Sequence, residues 1–461
     1  MHEDSYDLVV VGHGAAGLAA ALAAAESAPG ARIAVLERAP HAESGGGSRW
    51  SPSNMRMKSV SELAPDFEDD MVRACGERTD RGYFHRLAEE AAPTLAWIER
   101  HGVKFHTPGY YLSAGPPRIQ ALGGGAAILE VLERAAKAGG VEFHYECVAE
   151  RLLTGAGGTV EGVGTMIDGA TRNFATRAAV LATGGFEGNA DMLREQFGPG
   201  GESLRPISPG SLYNQGEGIR MALDVGALRA GDWNGMHAEP VDARSRQSAP
   251  VVLVYPYGIA VDRDGKRFID EGAGLVHETW EHFARAIHFS APGRIAWAIL
   301  DARMTDIPGY ERAIRSELPP LRAGSIAVLA SLAGISPAGL EHTVAAYNAA
   351  CTGDPGRFDA TRTDGVAAAR GLDPPKSNWA RAIERPPFLA YPLTGAIAYT
   401  FGGIDTNEAA QVLGENAPIP GLYAAGEITG HFHRTAPNAV AMIRALVFGR
   451  IAGSGSIKRQ P

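Results

Sequence analysis

The chain's 461 residues, 45% hydrophobic and 21% charged, exceed one ordinary core and read as about two to three domain-sized globular units, which excludes a disordered or fibrous protein. Its 43 basic and 52 acidic side chains leave a net charge of −9 with no block of Lys and Arg to grip a phosphate backbone, so nucleic acid is not an expected partner. Cys75, Cys147 and Cys351 are widely spaced with no CxxC, which argues against a disulfide framework or a zinc, iron–sulfur or haem site; no metal is expected, and a reducing cytoplasm fits.

The first segment, MHEDSYD, is acidic and leads through LVVV into glycines rather than to a small-residue cleavage site. The apolar run AAGLAAALAAA ends at Glu26, short of the roughly 20 residues that span a bilayer, and reads as a buried helix. YDLVVVGHGAAGLAAALAAAESAPGARIAVLERA has the order strand, glycine turn, helix, strand. That context makes GHGAAG a dinucleotide signal: Gly12 permits the tight turn, Gly14 lets backbone amides approach a pyrophosphate before Ala15 and Ala16, and Gly17 lets the helix pack on the sheet. Glu37, twenty residues beyond Gly17 and followed by Arg38, stands where a carboxylate meets ribose hydroxyls. A 2′-phosphate sits poorly there, so the expected ligand is FAD or NAD rather than NADP.

Further along, Ser44, Gly45, Gly46, Gly47 and Ser48 form a loop whose backbone can lie against a pyrophosphate or ring edge with no Cβ in the way. ALGGGAAILEVLERAAKAGG carries glycines before a helix, with no strand expected in front of them, so a second nucleotide site is not evident. The apolar strand LATGGF ends at Thr183, Gly184 and Gly185, which suits a strand that stops where a ligand approaches; Ala182 and Val148 belong to the same expected cofactor set. APIPGLYAAGE is a second such strand, closed by Gly426 and Glu427, whose carboxylate can accept from hydroxyls of the same ligand. A helix is expected to open at Pro437 and to present the amides of Asn438, Ala439 and Val440 to whatever lies before it, with positive dipole character. Between these lies HFHR, with His431, His433 and Arg434 in four positions.

Taken with GHGAAG and Glu37, the pieces SGGGSRW, LGGGAAIL, LATGGFEGN, QGEGIRMALDVGA, VDRDGKRFIDEG, YTFGGI and YAAGE make the chain resemble, over nearly its whole length, the FAD-dependent fumarate reductase and succinate dehydrogenase flavoprotein superfamily. YPYGIAVDRDGKRFIDEGAG and the FGRIAG ending are most similar to tricarballylate dehydrogenases, with 3-ketosteroid dehydrogenases a more distant relation. The resemblance implies an α/β fold: a discontinuous Rossmann-like FAD-binding domain at 1–236 and 394–461, with an α+β capping domain inserted at 237–393. It implies FAD, and the absence of a histidine from SGGGS, where respiratory members attach flavin covalently, implies noncovalent FAD.

The resemblance also implies an oxidoreductase that desaturates or reduces a C–C bond beside a carboxylate or carbonyl, removing an α proton while β hydride passes to flavin N5. Arg434 is the nearest match to a substrate-binding arginine, with Arg118 a second cation before the LGGG turn. Tyr399 lies beside TFGG, where the family places a substrate contact; Tyr255 and His237 come from cap segments; the proton carrier is open among Tyr399, His433 and Tyr255. Two departures matter. GAGLV follows Glu271 where fumarate reductases place a proton-donating arginine, and Ala436 stands where ketosteroid dehydrogenases carry a tyrosine. A cyclic-ketone dehydrogenase, an ene-reductase and a non-catalytic flavoprotein are the alternatives; the expected partner is a small carboxylate or ketone, with the electron acceptor open.

Overall fold

The computed structural model describes residues 5–109, 112 and 115–458, apart from the side chain of Pro355; the first four residues of the acidic MHEDSYD segment lie outside that range. A six-stranded sheet runs in the order Gln411–Leu413, Pro418–Ala424, Ala179–Leu181, Leu8–Val11, Ile33–Leu36, Glu142–His144. The pairings among the last five are parallel, and the first strand is antiparallel. LVVV, IAVL and AVL are buried at every position, as parallel strands covered on both faces must be. The sheet interleaves the two ends of the chain, since residues 179–181 pair with 9–11 on one side and 422–424 on the other.

Two helices, Ala15–Ser27 and Ala441–Ile457, lock those ends together. A Cβ on Gly449 would fall 2.3 Å from the Ala16 carbonyl oxygen, and one on Gly453 would fall 2.0 Å from that of Ala20. The alanine-rich run is therefore a helix buried by a second helix at backbone contact, which its length and composition anticipated. The second helix begins at Ala441, not at Pro437: Ala439 takes a left-handed φ of 60°, and its carbonyl accepts from the Arg56 amide at 2.9 Å. Proline, asparagine and alanine thus form a turn that aims the helix start, instead of its first turn.

A second expectation is also corrected. A strand, Ile119–Ala121, does precede the LGGG glycines, but it sits in a small antiparallel sheet with Asn54–Met55 and Phe105–His106. It forms no parallel crossover unit with the helix Gly124–Ala138 that follows it. That helix instead backs the SGGGS turn, since a Cβ on Gly125 would meet the Ser48 carbonyl oxygen at 1.8 Å.

The other six-stranded sheet is organised by one long strand, Phe388–Thr400, which pairs with Arg205–Pro206, Met236–Asp242, Ala296–Leu300 and Leu321–Ala323, with Ile259–Val261 beyond Ala296–Leu300. The anticipated 393/394 boundary falls inside this thirteen-residue strand, which carries the chain from this sheet directly to Thr400 and the TFGG turn. In the VDRDGKRFIDEG segment, the Glu271 carboxylate is fully buried and held by Arg267 at 3.0 and 2.6 Å and by the Ala260 amide at 2.8 Å. That motif is an internal brace. The helix Val276–Ser290 crosses the sheet over Met236–Asp242 and Phe388–Thr400.

Candidate active site

A cavity of about 1080 Å3 is continuous from the GHGAAG turn to the second sheet and its crossing helix. At the first end it is walled by backbone. Gly12, at φ 109°, would place a Cβ 2.3 Å from the Ala182 carbonyl oxygen, and a Cβ on Gly17 would lie 1.9 Å from that of Gly12, so both hold the turn against the sheet. Gly14, Gly46 and Gly47 differ: an added Cβ meets nothing nearer than 3.5 Å, so these positions leave a cradle open to the cavity. Glu37 accepts from the His13 amide at 2.9 Å and the Ala39 amide at 2.8 Å, which fixes its carboxylate while leaving acceptor capacity on both oxygens. Ser48 Oγ accepts from the Ala15 amide at 3.3 Å.

Of the expected cofactor residues, Gly12, Gly14, Ala15, Ala16, Glu37, Arg38, Gly45, Gly46, Gly47, Ser48, Val148, Ala182, Thr183, Gly184, Gly426, Glu427, Pro437, Asn438, Ala439 and Val440 line this cavity. Gly17, Ser44 and Gly185 stand behind it. Ser44 is buried with its hydroxyl on the His41 carbonyl at 2.9 Å, and a Cβ on Gly185 would fall 2.1 Å from Thr400 Oγ1. Arg38 is paired with Glu217 as it lines the wall.

Midway, Glu427 accepts from the Thr400 amide at 2.9 Å, and Asn214 Nδ2 donates to Glu187 at 2.9 Å and to Glu427 at 3.5 Å. Burial first, and then the neighbouring Glu427 charge, push the Glu187 carboxyl well above the ordinary range; burial raises Glu427 as well. Two carboxyls bridged by one amide in a dry site cannot both ionise cheaply, and they share a proton.

The far end is built from charged side chains. A register shift between His237 and Ala238 in the Met236–Asp242 strand brings the His237 ring over Tyr399, its cross-strand partner, at 4.8 Å between centroids. His237 Nδ1 lies 3.3 Å from Glu281 and Nε2 lies 3.3 Å from Glu239. Burial opposes charge on this imidazole, but the two carboxylates outweigh it and hold it up at about 9, so it is a cation at neutral pH. Burial pushes the Tyr399 phenol well up, keeping it a proton donor, and its hydroxyl makes no hydrogen bond to protein among the described residues. Arg118, Arg285, Arg315, Arg434 and Arg444 line the same cavity.

Two expected catalytic residues do not. Tyr255 is buried under the crossing helix, stacked on Phe283 at 3.9 Å with its hydroxyl 3.1 Å from Thr279, and is a packing residue. His433 is half-buried outside the cavity, where burial and then Arg78 disfavour its cation. His431 is a structural pin: it stacks on Tyr83 at 3.6 Å, with Asp80 at 3.3 Å and Thr406 at 2.9 Å from its nitrogens. Arg434 is at the cavity rim, exposed, with φ 60° and its side chain lying over Gly76, where an added Cβ would meet Nη1 at 3.1 Å.

Sequence reasoning missed Glu239, Glu281, Glu187, Asn214 and Arg444. Glu239 was within reach, because period-two alternation puts it on the His237 face; Glu278, Glu281 and Arg285 recur at helical spacing on one face. Glu187 lies within LATGGFEGN itself, whereas nothing local marks Asn214 or Arg444.

A parallel sheet packed against helices and against a second, mainly antiparallel sheet, an open glycine cradle ending at a fixed carboxylate, and a charged chamber continuous with it define a dinucleotide-dependent oxidoreductase. A family model described as FAD binding domain matches residues 7–440, and the chain belongs to that family. It is 28% identical to a probable fumarate reductase of Shewanella frigidimarina, over 99% of this chain and 75% of the other, and 26% identical to a urocanate reductase of Eggerthella lenta, over 98% and 74%. The solved open conformation of a flavocytochrome c3 fumarate reductase superposes with a TM-score of 0.80 at 26% identity, covering 99% of this chain and 78% of that one. The protein is an FAD-dependent oxidoreductase acting on C–C bonds, and its cofactor is FAD. Among the described residues no helix is long and apolar enough to cross a membrane.

Proposed function

We propose that the protein is a dehydrogenase or reductase of a small polycarboxylate, working on the C–C bond beside a carboxylate in the manner of a tricarballylate dehydrogenase, with residues 237–393 forming a cap over noncovalent FAD. The observation that carries this reading is the far chamber, where a cationic His237, a protonated Tyr399 and several arginines line one cavity with the cofactor cradle. FAD supplies the hydride acceptor or donor when bound. Tyr399, whose hydroxyl has no hydrogen-bond partner among the described residues, carries the proton to or from the α-carbon. His237 holds its ring against Tyr399 and stabilises negative charge that develops there, with Glu239 and Glu281 keeping it protonated. The cavity arginines other than the exposed Arg434 bind carboxylates and shield the reacting carbon from water.

A fumarate reductase mechanism with an arginine donor is disfavoured by Gly272–Leu275 following Glu271, and a steroid-type oxyanion device by Ala436. The test is anaerobic mixing of the purified protein with saturated polycarboxylates and cyclic ketones, and of the reduced protein with their unsaturated counterparts. Expected are flavin bleaching by a saturated polycarboxylate or reoxidation by an unsaturated one, and release of intact FAD on acid denaturation. Response to cyclic ketones alone transfers the reading to the ketone class, and no response to any compound leaves a non-catalytic flavoprotein.

A further inference from the structure

Arg444 is the fourth residue of the helix Ala441–Ile457, whose start lines the cavity, and it is 2% exposed. Its guanidinium carbon lies 3.9 Å over the Phe432 ring, and Nη1 reaches the Thr429 carbonyl at 3.4 Å. Nε is buried with no partner. Among the described residues no carboxylate oxygen comes within 4.0 Å of this group. The contrast with other buried cations is sharp: Arg267 is clamped by Glu271, and Arg56 by Asp66 and Asp70.

The groups around it supply no counter-ion in contact with it. Burial pushes the Tyr83 phenol up, so it stays uncharged, and burial likewise disfavours a proton on His431. Glu427 shares one proton with Glu187, so that pair keeps one negative charge, which acts on Arg444 at a distance and makes no ion-pair contact with it. A permanent charge withdrawn from water without a counter-ion is strongly unfavourable, and arginine cannot relieve it by losing a proton. Arg444 lines the open cavity, and its Nε has donor capacity left for an anion.

Resting on the flavin-dependent reading above, we infer that Arg444 is the anion-holding residue of the site: its guanidinium takes an anionic oxygen from the occupant of the cavity, and Arg434 at the rim does not perform this role. Two sources offer that chemistry, the pyrimidine edge of the flavin once it carries negative charge and a carboxylate of the substrate. In both cases Arg444 stabilises the state that follows charge development, from a fixed position that needs no rearrangement.

The experiment is a pair of spectral titrations of the flavin-loaded protein, read without turnover. Sulfite adds reversibly to oxidised flavin and leaves the negative charge on its pyrimidine edge; malonate is an inert dicarboxylate. For Arg444→Met, at unchanged flavin content, affinity for at least one of the two should fall by about tenfold or more, with Arg444→Lys in between because charge is kept but the planar fork is lost. Loss of sulfite affinity assigns the occupant as the flavin edge, and loss of malonate affinity assigns it as the substrate carboxylate. If Arg444→Met does not fold, the Lys variant alone is read, with about a threefold loss expected. Affinities for both ligands within about twofold of the parent in the folded variants overturn the inference. A parent protein that carries no flavin defeats the underlying reading instead.

Discussion

The two ends of the cavity are built from different materials. At the dinucleotide end the wall is backbone: glycines at positions 12, 14, 46 and 47, and a carboxylate held by two main-chain amides. At the far end it is charged side chains on two strands and a helix, with His237 between Glu239 and Glu281 and stacked on Tyr399. Backbone donors suit a ligand whose diphosphate never varies, whereas a side-chain chamber sets both charge and protonation state, and single substitutions can retune it. The first end should therefore respond to substitution all-or-none and the second by degrees.

The largest effect tests that contrast directly. Gly12→Ala forces a side chain to φ 109° and a Cβ to 2.3 Å from the Ala182 carbonyl oxygen, so the flavin-to-protein absorbance ratio should collapse. A yellow variant with normal flavin content would show that the turn is not the cofactor's wall.

At the other end, Tyr399→Phe removes one hydroxyl from a ring that stays packed on His237. Flavin content should be unchanged while the rate of flavin reduction by the best substrate falls by about a hundredfold, the range for loss of a proton-transfer group. Equal rates would move the proton to another side chain of the chamber.

His237 gives a pH signature. Its folded pKa of about 9 lies above the ordinary histidine value of 6.5, so its cation is fully present below that value and is lost as pH rises through about 9. Carboxylate affinity in the parent should fall by roughly tenfold over that upper range, and the decline should be absent in His237→Gln. A midpoint near 6.5 would mean that the two glutamates do not act on it.

A smaller effect concerns the shared proton between the two ends. Because the Glu187 pKa is raised on folding, the unfolded chain ionises first, and stability falls as pH rises above the ordinary glutamate range. Glu187→Gln should flatten that decline and raise the Tm at pH 8 by a few degrees, measured by thermal unfolding of the flavin-loaded protein. The smallest is Arg434→Lys: for an exposed rim residue the change in kcat/KM should stay within about threefold. A hundredfold loss would return the anion-binding role to the rim.

Much of the first end was legible because its signals are local. A glycine that must turn tightly, a strand of unbroken apolar residues and an acid twenty positions on are constraints of backbone geometry, and they appear in the sequence in the order in which they act. The start of the last helix was misjudged by four residues because proline is compatible both with a first helical turn and with the turn before it, and the Arg56 contact to Ala439 decided between them.

By itself, the sequence determined the class of fold, a dinucleotide site and the residues that line most of its cradle, since those depend on spacing within continuous segments, while resemblance to a flavoprotein family narrowed the ligand to FAD. Tertiary structure decided which of the scattered polar residues share a chamber. Tyr255 and Tyr399 look alike in the sequence, yet one is stacked under the crossing helix and the other lines the cavity; His433 and His237 are separated in the same way. Arg444 looks like any arginine in a helix until the fold shows it buried with no carboxylate in contact among the described residues. The physical reason is that charge and protonation depend on burial and on neighbours drawn from distant segments, and those neighbours exist only once the chain has closed on itself.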